Sequence, residues 1–439
     1  MYPKLTSEPG AVEVAAQIRS GALSPVAATE AAIGRIEALD GPINAVVIRD
    51  FARARTASRA LEASGPQPDQ PLFGVPMTVK ESFDVAGLAT CWGLPDHAAT
   101  IAHTDAVVVQ RLKQAGAVIL GKTNVPPMLA DWQANNPVYG RTINPHDPER
   151  TPGGSSGGSA AALASGMVAA EYGSDIGGSI RIPAHFSGVW GHKPTWGVVT
   201  SKGQEMPGTD GHDVALGVVG PLARSGEDLA LLLEVTLDRP LALDAKPIDR
   251  TRFFYLERHP LCPVADDVRA PIEATVEAIE AAGAIVDRRS ESLPDLAALH
   301  DEYMRMLQIG MMRGAPGPDG QVASAAQWFS LLDAQHHVQR AWATLFAQYD
   351  FVLAAPAAIT AFAHDARDMP ARVWDVAGEP HGAEAVLAYA GMAVFAGLPA
   401  TVLPVGAAGH LPVGLQVIGD RFADRDCIAM ATAIGALLA

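Results

Sequence analysis

Two glycine–serine clusters stand close together in the chain, TPGGSSGGSAAALASG at residues 151–166 and GSDIGGSIRIPA at residues 173–184. A lysine, Lys80, follows the apolar run of FGVPMTVKESFD at residues 73–84. Glycine beside serine removes Cβ atoms, so a hydroxyl stays accessible while several backbone N–H groups converge on one anionic oxygen. Acyl transfer through a serine nucleophile requires both, and it also requires a base. No histidine stands in an evident triad arrangement with Ser155 or Ser179. Neither HExxH nor HxH occurs among the 13 histidines, so metal-assisted hydrolysis has no visible ligand set. The adjacent His336 and His337, on an expected helix, read as a solvated or core pair rather than as ligands. Lys80 remains. The strand-like run at residues 75–79 should desolvate it, which lowers an ammonium pKa until the neutral amine can accept a proton. A lysine at a strand end is more often a snorkelling surface residue, so Lys80 alone does not make a site.

The serine clusters have competing readings. A flexible linker is the first, and it is weak here because the first cluster runs into an Ala-rich helix and the second into Ile180-Arg181-Ile182-Pro183. A phosphate-cradling loop is the second. No GK[ST] follows either glycine cluster, as a Walker loop demands, and no GxGxxG follows a strand.

The elements that must position these residues alternate between helix and strand. Ser24 and Pro25 open a helix that Gly41 should close, followed by a short strand at residues 44–48. DAVVVQRLKQAG (105–116) predicts a helix ending at a glycine, before the strand AVILG. The same phrase returns over residues 266–286, and a helix ending near Gln348 leads into FVLAAP. Ser225 and Asp228 predict a capping box. Continuous apolar strands between helices imply an α/β protein whose sheet is covered on both faces. GAPGPDG, from Gly314 to Gly320, is linker-like and lies between two long helices, which favours a connecting loop over a mobile lid.

Lys80, GGSSGGS (153–159) and DIGGSIRIP (175–183) together resemble the amidase signature family of Ser-Ser-Lys hydrolases. LGKTNVP (120–126), SGVWGHKPTWG (187–197), GPLARSGEDLALLL (220–233) and the closing GLPATVLPVG and LPVGLQVIGDRF extend the resemblance over nearly the whole chain. It is weakest at about 240–380. The resemblance implies one large α/β domain over residues 1–439, with a mixed, largely continuous sheet under helices on both faces. Its core would span about 70–235 and 385–425, and the weaker region would shape the substrate pocket. It further implies that Ser179 is the nucleophile, that Ser155 passes a proton between Ser179 and Lys80, and that Lys80 is the base. The N–H groups of Ile176, Gly177, Gly178 and Ser179 would form the oxyanion hole. The Gly154–Ser155 peptide would be cis, Ser156 would add a supporting hydrogen bond, and Gly154 and Asp175 would support the loop. Met128, Leu129 and Ala130 would lie beside the scissile group. No metal or organic cofactor is implied. Two departures, Val198-Val199-Thr200 where an Arg often follows and Ser187 where a Cys is common, touch packing rather than the three side chains.

The substrate implied is a small amide, with aryl carbamates or esters as further candidates. The alternative is the glutamine-hydrolysing component of a tRNA-dependent amidotransferase complex, although residues 254–355 do not resemble that protein. Composition narrows the other classes. A net charge of −16, from 32 basic against 48 acidic residues, leaves no basic face for nucleic acid. Three scattered cysteines argue against a disulfide framework. No signal peptide is visible, and the nearly uncharged stretch at 385–419 is broken by Pro399, Pro404 and Pro412, so it reads as buried helix and strands rather than a membrane span. A cytoplasmic enzyme, with a homodimer possible, is the expectation. Met304, Met306, Met311 and Met312 read as core packing by default, with a substrate-facing role as the alternative because methionine surfaces adapt to varied ligands, and Trp132, Trp190 and Trp196 read as core rather than ligand platforms.

Overall fold

Eleven strands join into one mixed sheet in a computed structural model that describes residues 6–209, 211, 214–317 and 320–438. In chain order they are β1 (Val46–Arg49), β2 (Pro76–Lys80), β3 (Val118–Thr123), β4 (Ala170–Asp175), β5 (Trp190–Lys193), β6 (Val218–Ala223), β7 (Arg252–Leu256), β8 (Ile285–Asp287), β9 (Phe351–Ala354), β10 (Ala400–Ala408) and β11 (Leu411–Ile418). Their lateral order is β1-β3-β2-β4-β6-β5-β10-β11-β9-β7-β8. β2 is parallel to both β3 and β4, and β7 to both β8 and β9, while the other neighbours are antiparallel.

Successive side chains along a strand face opposite ways, and the core divides accordingly. Val118 and Leu120 pack with the helix Gly157–Ala164, whereas Ile119 between them joins Met77, Val79 and Tyr172 on the other face. Buried apolar residues on both faces explain why the strands read as continuous hydrophobic runs. The uncharged stretch becomes the buried helix Ala383–Phe395 and the hairpin β10–β11 in the sheet interior. Among the described residues no helix is long and apolar enough to cross a membrane.

Local expectations hold with a few corrections. The helix opened by Ser24 runs past Gly41 to Ile43, because Asn44 rather than Gly41 takes the left-handed turn (φ 58°) and donates its N–H to Asp40 O. Only half of the expected box at Ser225 forms. Ser225 accepts from Asp228 N, but the Asp228 carboxylate accepts from Val12 N at 2.8 Å instead of reaching back. A complete capping box stands at Ser324 and Gln327, where none was expected. Gly314 follows the helix Leu296–Met312 and precedes Ala325–Phe346, while Pro318 and Asp319 of that segment lie outside the described residues.

Candidate active site

Lys80 ends β2 and Asp175 ends β4, and these strands are parallel neighbours. Their carboxyl ends therefore bring Lys80, Ser174 and Asp175 to one edge of the sheet, where open α/β sheets place ligands. Ser155 arrives from the loop before the helix Gly157–Ala164, across a cis Gly154–Ser155 peptide. All eight residues of that helix are buried, and a Cβ on Gly158 would lie 2.3 Å from Asn124 N, which accounts for its run of glycine and alanine. Ser179 follows Gly178, whose φ of +91° favours glycine and whose Cβ would lie 2.6 Å from Ile182 Cγ1.

Lys80 is fully buried, and its Nζ donates to Ser155 Oγ at 2.6 Å and to Ser174 Oγ at 2.9 Å. Burial pulls its pKa down from 10.5 to about 7, with the Asp175 carboxylate opposing the fall. Asp175 behaves oppositely. Burial alone would raise it, but the Arg181 guanidinium and backbone donors hold it at about 2. Arg181 Nη2 and Nε each donate to the carboxylate at 3.0 Å, and Arg181 Nη1 donates to Gln416 Oε1 at 2.9 Å. Asp175 in turn accepts from the N–H groups of Gly178 (2.9 Å) and Ile180 (3.1 Å), so it shapes the loop carrying Ser179. Ser156 accepts from Ser174 N at 3.5 Å, and its own N–H donates to Ser179 O at 3.2 Å. It thereby joins the two serine clusters.

Of the amides expected in the oxyanion hole, that of Gly178 is thus committed to Asp175 and does not face a ligand. The amides of Ile176, Gly177 and Ser179 have no acceptor among the described residues. The carbonyls of the same loop are held from outside. Tyr303 OH donates to Ile176 O at 2.9 Å, and Trp132 Nε1 donates to Gly177 O at 2.9 Å.

Ser155, Ser179, Ile176 and Gly177 open on a cavity of about 260 Å³. Met128, Leu129 and Ala130 line it, with Met128 and Leu129 both in left-handed backbone (φ 54° and 58°). Trp132, Leu307, Met311, Met369 and Leu387 complete a mainly apolar wall. Two packing expectations are corrected here: Met311 and Trp132 face the cavity rather than only the core. Met306 is core, Met304 packs against it, and Trp190 bridges two core clusters, but Trp196 is 38% exposed. The two ionisable lining residues are both paired. Asp175 is held by Arg181, and Asp131 accepts from Arg372 Nη1 and Nη2. Among the described residues no lysine other than Lys80 beneath Ser155, and no arginine or histidine, reaches this space.

His336 and His337 are exposed, and the described residues contain no group of three or more His, Cys, Asp or Glu suited to a metal ion. All three cysteines are buried and free. Four residues escaped the sequence reading: Ser174, Trp132 as a donor, Tyr303 and Arg372. Ser174 stood in plain view beside Asp175. Tyr303, Leu307 and Met311 follow an i, i+4, i+8 spacing that puts them on one helix face, a signal present in the sequence.

The family model described as Amidase matches residues 27–312 and 297–428. An indoleacetamide hydrolase of Bradyrhizobium diazoefficiens is 31% identical over 465 residues, covering 97% of this chain and 85% of its own. The glutamyl-tRNA(Gln) amidotransferase A chain of Oleidesulfovibrio alaskensis is 30% identical over 482 residues, 95% of either protein. That alignment runs through most of residues 254–355, so dissimilarity there does not separate the two readings. A crystal structure of an amidase superposes with a TM-score of 0.84 at 27% identity, over 98% of this chain and 100% of its own.

Proposed function

The chain belongs to the amidase signature family of hydrolases acting on amide C–N bonds, and from that premise we propose that it cleaves a neutral, largely apolar amide through an acyl-enzyme on Ser179. The observation that carries this reading is the contact of 2.6 Å between Lys80 Nζ and Ser155 Oγ beneath a cavity that Ser179 also lines.

In this mechanism Ser179 Oγ attacks the carbonyl carbon. Its proton passes to Ser155 Oγ as the Ser155 proton passes to Lys80 Nζ, so the pair of serines bridges a base that does not itself touch the substrate. The oxyanion takes the N–H groups of Ile176 and Gly177, with that of Ser179 within the same loop; the Gly178 amide serves the loop through Asp175 instead. The Lys80 proton then returns through Ser155 to the amide nitrogen, the C–N bond breaks and the amine leaves. Water enters, the same groups remove its proton, and the acid is released from Ser179.

The apolar wall supports a neutral substrate over glutamine. The α-carboxylate of glutamine calls for a cation, and none among the described lining residues faces the cavity, while both lining aspartates are already paired. Carbamates and aryl esters share the carbonyl geometry and remain substrates of the same centre.

The test compares the purified chain with Ser179→Ala on an acylanilide, an aliphatic primary amide, an aryl carbamate and free glutamine, scoring released amine or ammonia. Turnover of the anilide or carbamate that vanishes in the variant is expected. Turnover that survives in Ser179→Ala would reassign the nucleophile, and glutamine as the preferred member would favour the amidotransferase reading.

A further inference from the structure

The loop 175–179 contains a peptide, Ile176–Gly177, that is intrinsically free to turn over. Gly177 has no Cβ, so rotating that plane meets little steric resistance. The consequence would be severe at this position, because Gly177 lines the cavity with an N–H that has no acceptor among the described residues, and a flip would exchange that donor for a carbonyl oxygen, whose lone pair repels an oxyanion. Something must fix the plane.

The following plane, Gly177–Gly178, is held at both ends: its carbonyl accepts from Trp132 Nε1 at 2.9 Å and its N–H donates to Asp175 Oδ1 at 2.9 Å. The Ile176–Gly177 plane has one protein partner among the described residues, the Tyr303 hydroxyl, 2.9 Å from Ile176 O. Apart from Gly154–Ser155 the described peptides are trans, so C=O and N–H point in opposite directions and fixing one aims the other. Tyr303 is fully buried, and burial pushes its phenol further above its usual range, so it stays a neutral donor. Its ring is seated by the absence of a side chain on the helix Ala383–Phe395, where a Cβ at Gly391 would lie 2.7 Å from Tyr303 Cδ1. It also packs against the His300 ring at 5.8 Å.

We infer that Tyr303 is a positioning residue for the oxyanion hole, holding the Gly177 N–H toward the cavity by anchoring the carbonyl at the other end of the same peptide. It acts through backbone and does not itself meet the reacting atoms. The inference rests on Ser179 being the nucleophile. It also ties the catalytic loop to the region at about 240–380, so that a helix which lines the pocket through Leu307 and Met311 aims the loop as well.

Tyr303→Phe removes the hydroxyl and keeps the ring. With an acylanilide, kcat should fall about tenfold, less than the roughly hundredfold or more that follows loss of an oxyanion donor itself, while KM and the pH midpoint of kcat/KM stay in place. Phenylboronic acid, which accepts a serine oxygen at boron and becomes tetrahedral, should lose affinity by about the same factor. A purely structural role would instead lower the thermal midpoint and raise KM without this parallel. Unchanged kcat, or a fall in kcat with no loss of boronate affinity, overturns the inference. If Tyr303→Phe does not fold, Gly391→Ala, which displaces the ring, is measured by the same criteria. Ser179→Ala run alongside separates the two levels: activity surviving there sinks the nucleophile assignment, whereas a dead Ser179→Ala beside a fully active Tyr303→Phe sinks only the positioning role.

Discussion

The protonation state of Lys80 should be visible directly in the rate. Its pKa is drawn by burial from 10.5 to about 7. At pH 7 an ordinary lysine is neutral in roughly one molecule in three thousand, against about one in two here, so burial supplies on the order of a thousandfold more base. The base works in its neutral form. Hence kcat/KM for an acylanilide should rise about tenfold per pH unit up to pH 7 and level off above it. The second perturbation is Lys80→Ala. Anilide hydrolysis should disappear, because an amine leaves only with a proton that Lys80 returns through Ser155. Hydrolysis of the matching aryl ester should fall less, since a phenoxide departs with little help, and its residual rate should lose the inflection near pH 7. The assay is the absorbance of released aniline or phenol between pH 5 and 10 in buffers of constant ionic strength. A flat profile for the intact chain, the same inflection persisting in Lys80→Ala, or equal losses on amide and ester would each refute the reasoning.

Two further substitutions probe the buried charges nearby. Glu171, on β4 with Thr78 donating to its carboxyl, is pushed by burial to about 8, so the native state keeps a proton that the unfolded chain loses above about 4.5. Stability should therefore decline between pH 5 and 8, and Glu171→Gln should become progressively more stable than the parent across that window, by at most a few kcal/mol; an equal difference in urea midpoint at both ends refutes the sign. Lys193→Met should leave the pH midpoint of kcat/KM within about half a unit of the parent value, and a larger displacement would move the titration from Lys80 to Lys193.

Much of this site was legible before any coordinates, for a physical reason. Glycines packed where a side chain would clash, such as Gly154 and Gly158, tolerate few substitutions, and a Cβ at Gly154 would lie 2.4 Å from Asp131 O. Steric demands of that kind write themselves into the sequence as dense, unusual phrases. The alternation of helix and apolar strand was legible too, since both faces of β2, β3 and β4 are covered. Hydrogen bonds spanning long separations leave no such trace. Trp132 and Gly177 are 45 positions apart, Tyr303 and Ile176 are 127, and Arg372 and Asp131 are 241. Each is an ordinary residue on its own segment, and only folding reveals the pairing. The competition for Asp228 was hidden likewise, because Val12 lies 216 positions away.

A lowered lysine pKa does not by itself identify a base in this protein. Lys80 and Lys193 are both drawn to about 7 by burial and Lys122 to about 8, so desolvation alone would nominate all three. What differs is where each ammonium proton can go. Lys193 donates to the carbonyl of Pro194 at 2.9 Å, and a carbonyl accepts without being able to hand a proton onward. Lys122 donates to Ala89 O and to the Thr90 hydroxyl, but that hydroxyl lines no part of the cavity. Lys80 meets a hydroxyl that is both donor and acceptor and that opens on the cavity. Burial makes weak bases wherever desolvation in the sheet interior outweighs the nearby carboxylates. Relay chemistry needs in addition an amphoteric neighbour at the substrate's edge, and the GGSS turn supplies it at Ser155. The requirement explains why the lysine and the serine must be considered together, and why replacing Ser155 should silence Lys80 while leaving its burial intact.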